Sequence, residues 1–406
     1  MNRPELLAPA GDLEKLKIAV LYGADAVYVG GQHFSLRAGA GNFSEAEMGE
    51  GVRFAHSKGV RVYVAVNIFA HNKDLSFLPD YFDFIQGLGV DGIIVSDPGI
   101  TSLVSKLHPG LPVHLSTQAN TTNWAAARFW EEMGISRIIL SRELSLAEIK
   151  EIRQRVGIEL EMFVHGAMCI AYSGRCLLSS YLTGRGANRG DCAQPCRWKY
   201  ALVEEKRPGE FLPFQEDEKG SYILSSRDLC LIEQLPELIG AGINSFKIEG
   251  RMKSIHYVAG VVKAYREALD AYPSVGKKSF DPAVWLEEIS KVSHREYTTG
   301  FLFGRPGVEG QHYSSKIYRR SYSFIGLVRG YDSRTGLAVI EQRNRFSVGD
   351  EVEFLTPKGS PVQQQIKAIY DEEGNALEVA PHPQQIVKIP VDCELATYSM
   401  MRKPLD

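Results

Sequence analysis

Four of the six cysteines, Cys169, Cys176, Cys192 and Cys196, fall within 28 residues of a 406-residue chain. The gaps between them are six, fifteen and three residues. Gly174, Gly184, Gly186 and Gly190 loosen the intervening backbone, and Arg175, Arg185, Arg189 and Arg197 make the stretch basic. Nearby cations stabilise thiolates, and anionic sulfur is the form that iron or zinc binds. Structural zinc favours paired cysteines roughly two to four residues apart, and only Cys192 and Cys196 look like such a pair. An iron–sulfur cluster needs four thiolates and tolerates irregular gaps, with Pro195 stiffening the approach to Cys196. Unligated thiols are the third reading, and spacing alone leaves all three open. Disulfides would suit a secreted chain, but MNRPELLAPAGDLEK lacks the apolar core of a signal peptide. The expectation is a reducing cytoplasm.

Around this loop stand other candidates. His165 lies on a strand end just before the loop, where it could move protons or bind substrate; an ordinary structural histidine is the plain alternative. Glu249 and Arg251, in KIEGR, read either as active-site groups or as a rim ion pair. Arg142 and Arg251 suit a carboxylate, which planar guanidinium groups grip bidentately. Gly30, Gly31 and the APAG turn offer backbone N–H groups to an anion. Cys230 is expected at the start of a helix, LCLIEQL, filling core or replacing Cys196 as a ligand; Cys393 is expected buried in a C-terminal strand. No G-x-G-x-x-G, P-loop, G-x-S-x-G or H-E-x-x-H pattern occurs, so neither a dinucleotide nor the common hydrolases are indicated. A cysteine peptidase would draw on Cys169 and His165.

For RNA, the loop interleaves Arg175, Arg185, Arg189, Arg197 and Lys199 with Tyr172, Tyr181, Trp198 and Tyr200. Cations attract phosphate and aromatic rings stack on unpaired bases, which suits an anticodon loop. Lys316, Arg319, Arg320, Arg329, Arg343 and Arg345 form a second basic stretch. The net charge of -3 argues against broad nonspecific binding but leaves a local basic face. Arg142, Arg175, Arg197 and Trp198 are the expected substrate-binding set.

These residues need a scaffold. Short Val- and Ile-rich runs alternate with amphipathic helices from residue 5 to 270, eight times over. The count predicts a (β/α)8, TIM-like barrel with the cysteine-rich loop, 166–200, inserted after the seventh strand; an open doubly wound sheet is the alternative. Catalytic groups of such barrels sit at the C-terminal strand ends, here Gly30, Asn67, Asp97, Gln118, Arg142, Glu143, His165, Glu249 and Arg251. Residues 271–320 read as a connector. From 321 to 406, alternating short strands predict a small all-β barrel resembling those of translation factors, a likeness weak on function. No apolar run approaches the ~20 residues of a membrane span.

Glu161-Met-Phe-x-x-Gly166-Ala-Met-Cys169 followed by Gly174-x-Cys176-x-Leu-Ser179 resembles the signature of the collagenase-like peptidase family of unassigned catalytic type, peptidase U32. The likeness runs from LLAPAGDLEKLKIAV through FKIEGRMKS. It implies a 4Fe–4S cluster on Cys169, Cys176, Cys192 and Cys196, and hydroxylation of tRNA wobble uridine, ribosomal RNA or a quinone precursor. CAQPCRWKY is most like the prephenate-dependent tRNA branch, which implies tRNA and a small dicarboxylate as partners. Some relatives work as pairs of chains, so a homo-oligomer or a related partner chain is a further expectation. Hydrolysis of peptides is the competing activity.

Overall fold

The computed structural model describes residues 3–35, 41–169, 171–172, 174–198, 201–203, 211–213, 226–275, 279–306 and 318–405. Eight parallel strands close into a barrel: β1 (Glu5–Pro9), β2 (Ala26–Val29), β3 (Arg61–Val66), β4 (Gly92–Val95), β5 (Val113–Leu115), β6 (Arg137–Ile139), β7 (Glu159–Ala167) and β9 (Ser245–Ile248). β9 pairs with β1 on one side, and with β7 on the other through Ser245 opposite Glu161 and Lys247 opposite Phe163. That second ladder closes the ring. The strands are buried along almost their whole length, as parallel strands between a barrel core and a helix layer must be. Helix starts are fixed locally. Asp12 caps Leu13–Leu21, and Ser44 with Glu47 and Ser145 with Glu148 form reciprocal capping boxes.

Two local expectations change. The segment expected to begin a helix at LCL forms a strand, β8 (Asp228–Cys230), antiparallel to the end of β7. Along β7, β6 pairs with residues 159–161 alone, so β8 takes over the edge that β6 leaves. The helix begins only at Leu235. Cys393 is exposed and lies outside any strand.

The C-terminal strands make an antiparallel half-barrel, not a closed one. Its order runs from Val362–Gln365 through Glu351–Leu355, Met400–Pro404, Tyr322–Asp332, Leu337–Gln342 and Ile386–Pro390 to Ile369–Tyr370 and Ala376–Leu377. No ladder joins the two edges among the described residues. This sheet packs on the barrel. Tyr22 Oη donates to the Leu355 carbonyl at 2.7 Å, and buried Arg402 pairs with Glu288 and Glu353. Arg329 and Arg343 reach Glu14 of the first helix at 2.7 and 3.2 Å. Two arginines expected on an RNA-binding stretch are therefore engaged in ion pairs with the barrel.

The candidate site at the barrel mouth

The inside of the barrel carries charge. Arg137 Nη1 lies 2.6 Å from Glu5 and 3.1 Å from Glu161, and Lys247 Nζ lies 2.9 Å from the other oxygen of Glu161. All four side chains are buried. Buried charges persist only when paired, and this chain pairs each one. It climbs from the lower end of β1 to Lys247, near the C-terminal end of β9. Burial pulls the Lys247 ammonium below the usual lysine range, against the pull of Glu161.

Lys247 forms the floor of a pocket at the barrel mouth. Asn67, Gln118, Arg142, Glu249 and Arg251 from the expected strand ends line it, together with Tyr28 and Phe163. The Lys247 ammonium sits 4.4 Å from the Tyr28 ring centroid, and the Arg142 guanidinium 4.8 Å from that of Phe163. Arg251 is buried, and its Nη1 donates to Ser35 Oγ at 2.7 Å. Three cations thus converge on one cavity, with Glu249 as the acidic neighbour. Gln118 Oε1 is buried there and meets no hydrogen-bond partner among the described residues. At Gly30 a Cβ would stand 2.2 Å from Arg251 Nη1, so the glycine makes room for that arginine.

The cysteine loop lies against this mouth. Gly174, at φ +77°, rests on β5's continuation so closely that a Cβ would come 2.4 Å from the Gln118 carbonyl. Arg189 ties the loop to the β3 side through Asp74 at 3.0 Å and the Phe69 carbonyl at 2.9 Å. The short helix Leu178–Thr183 follows Cys176, and Ser179 within it accepts the Ala193 N–H. Arg142 Nη2 lies 4.0 Å from Cys169 Sγ, and the Gln194 N–H donates to Cys192 Sγ at 3.4 Å.

Whether these cysteines suit a cluster is a question of donor chemistry and of arrangement. None of the four is in a disulfide, Cys169 is exposed and the other three are half-buried. N–H donors reach two of the sulfurs, which is how proteins stabilise sulfur ligands. The donor set therefore fits. The arrangement as it stands does not draw three or more metal-ligating side chains together among the described residues.

His165 does not join the site. Lys247 and Ile248 of β9 face Phe163 and His165 of β7, leaving Val164 as an extra residue. Such a bulge reverses the inward–outward alternation. His165 consequently sits among Tyr257, Tyr265 and Tyr297, with ring centroids 5.4 to 5.9 Å away. Its Nδ1 faces Tyr265 Oη at 3.5 Å, and its Nε2 meets no partner among the described residues. Burial pushes it down to about 3, so it is neutral. A Cys169–His165 couple is not formed. Asp97 caps the helix Pro98–Leu107, as a turn residue would. Cys230 is buried on β8 beside Tyr265, where burial pushes its thiol up to about 11.

On the outer face of the loop, Tyr172, Tyr181 and Trp198 are exposed, as is Arg175. Arg185 is paired with Asp191 at 2.7 Å. The Arg197 side chain, Lys199, Tyr200 and Lys316 lie outside the described residues.

Residues 11–312 match the Peptidase family U32 profile, and residues 320–402 match the family's C-terminal domain. The chain belongs to peptidase family U32. A Bacillus subtilis relative named tRNA hydroxylation protein P1 is 48% identical over 99% of this chain and 95% of its own. An Escherichia coli relative named tRNA hydroxylation protein P is 39% identical over 99% of this chain and 97% of its own. Another E. coli relative, named 23S rRNA 5-hydroxycytidine C2501 synthase, is 37% identical over 81% of this chain and 48% of its own.

In this U32 member the expected motif has a physical basis. Glu161 anchors Lys247 and Arg137. Gly166, at φ +111°, lets the Glu249 backbone approach to where a Cβ would be 2.6 Å from its carbonyl. What sequence reasoning missed is Lys247 with Glu161, Tyr28 and Phe163. The available signal was a lysine and a glutamate inside otherwise apolar strands, ELEMFVHGA and SFKI.

Proposed function

We propose that this chain hydroxylates RNA at carbon 5 of the wobble uridine of tRNA, in the cytoplasm, with prephenate as cosubstrate and a 4Fe–4S cluster on Cys169, Cys176, Cys192 and Cys196. The relatives' names support RNA hydroxylation as the class of reaction. The structural observation that carries the reading is the mouth pocket, where Arg142, Lys247 and Arg251 converge beneath the cysteine loop. Prephenate bears two carboxylates, and guanidinium groups on a buried wall suit that charge and shape. Arg142 and Arg251 bind the acid in this reading, while Lys247, held by Glu161, supplies fixed positive potential from below. In the same reading Glu249, at the edge of the pocket, holds a proton. A cluster on the four cysteines would supply electrons or a Lewis-acidic iron. Exposed Tyr172, Tyr181, Trp198 and Arg175 give the RNA a surface for stacking and phosphate contact.

The test is nucleoside mass spectrometry on tRNA from a strain lacking the gene, with and without the gene restored. Loss of 5-hydroxyuridine-derived nucleosides and their return on complementation is expected. Unchanged tRNA with a lost ribosomal hydroxycytidine would move the same chemistry to ribosomal RNA. If neither RNA changes, the reading fails.

A further inference from the structure

A second, wider cavity adjoins the mouth pocket and shares Glu249 with it. We infer that it receives an unstacked pyrimidine base of single-stranded RNA, while the mouth pocket holds the small acid. The inference rests on the RNA-hydroxylation reading and assigns the two substrates to separate chambers.

Position is the first argument. The cavity wall takes Ala167 from the end of β7, two residues before Cys169, and Gln194 from between Cys192 and Cys196. Gln194 sits in the left-handed region at φ 56°, the turn that presents it there. A base in this cavity would thus lie against the cysteine loop on one side and Glu249 on the other.

The second argument is the chemistry of the wall. Tyr257 and Tyr318 belong to it, and Lys253 Nζ lies 5.1 and 5.2 Å from their ring centroids. Tyr318 and Met252 form an exposed apolar lip, about half accessible each. Aromatic and thioether groups suit a planar base, whose π-face stacks regardless of sequence. Gln194, Ser254 and Ser293 add a carboxamide and two hydroxyls. Uracil presents two carbonyl acceptors flanking one N–H, and such groups can both donate and accept.

Charge divides the two chambers. The mouth pocket gathers three cations and suits a dicarboxylate. The second cavity carries Lys253, over two rings, and the shared Glu249. A neutral base fits that balance, whereas a dicarboxylate would face the glutamate with less compensation.

Photo-crosslinking tests the assignment directly. The full chain, purified anaerobically, is irradiated with an anticodon stem–loop carrying 5-iodouridine at the wobble position, and crosslinked peptides are mapped. Crosslinks on Met252 or Tyr318 are expected. Tyr318→Ala, at a half-exposed position, is expected to weaken stem–loop binding on the order of tenfold. Binding with crosslinks confined to Tyr28 or Phe163, or outside both cavities, overturns the two-chamber assignment and leaves RNA hydroxylation standing. So does unchanged affinity of Tyr318→Ala. Failure of the wild-type chain to bind the stem–loop overturns the RNA reading itself, and this inference with it.

Discussion

Arg142 connects the barrel mouth to Cys169: its Nη1 donates to the Ala167 carbonyl at 2.7 Å, and its Nη2 lies 4.0 Å from Cys169 Sγ. The same guanidinium lines the pocket and stacks on Phe163. One side chain is therefore shared by the mouth pocket and the cysteine loop. Charge change at the sulfur and occupancy of the pocket act on one cation, which couples the two electrostatically.

The ligand assignment is tested by Cys176→Ala and Cys192→Ala. Both residues are half-buried in the loop, outside the barrel core. The variants are expected to lose iron and sulfide on anaerobic purification while far-ultraviolet circular dichroism and denaturation midpoint stay near wild type. Iron retained at full stoichiometry in both would remove these residues from the ligand set.

Arg251 tests the proposed binding of a small acid in the mouth pocket. A charge-assisted hydrogen bond contributes about 1.5–3 kcal/mol, or roughly 10- to 150-fold in affinity. Arg251→Ala is expected to raise the half-saturating concentration of the small acid by that factor and to leave stem–loop affinity within about twofold. Arg251 is buried against Gly30 and Ser35, so Arg251→Lys serves as the control that keeps charge and bulk. Equal acid dependence in wild type and both variants would exclude a role in binding it.

The barrel was legible because eight Val- and Ile-rich runs recur in register with amphipathic helices, and so was the rim, since Asn67, Gln118, Arg142, Glu249 and Arg251 all follow apolar runs. The charged interior was not. Whether Glu161 and Lys247 face each other depends on the pairing of β7 with β9, some 80 residues apart, and no local pattern encodes that register. The outward turn of His165 has the same origin, because the bulge at Val164 exists only against β9. β8 reads as helix or strand over so few residues, and its ladder with β7 decides. Arg329 and Arg343 looked like RNA contacts because a sequence does not show that Glu14 packs beneath them.

Gly174 tests the seating of the cysteine loop. A side chain there meets the Gln118 carbonyl and forces φ +77° on a residue that resists it, at a cost of about 1–2 kcal/mol before the clash is counted. Gly174→Ala is expected to lift the loop while sparing the barrel. Limited proteolysis would then cut within 171–198 several times faster, with the global unfolding midpoint little changed. Proteolysis at the wild-type rate would show that this contact does not hold the loop.

The buried histidines set a pH dependence whose sign follows from their burial. Burial pushes His165 and His256 down to about 3, and His114 well below the usual value. Above about pH 6.5 each is neutral both folded and unfolded, so its contribution is constant. Below that, the unfolded chain takes up protons that the folded chain refuses. Stability therefore falls as pH falls, down to about 3, where folded His165 and His256 begin to protonate. Each group adds a slope of at most about 1.4 kcal/mol per pH unit. His256 stacks on Phe324 with centroids 5.5 Å apart, and its Nε2 meets no partner among the described residues, so phenylalanine can replace it within the packing. Between pH 7 and pH 5, the wild-type chain is expected to lose about 2 kcal/mol more than His256→Phe in chemical denaturation. Equal losses in the two chains would mean that His256 takes up a proton in the folded state.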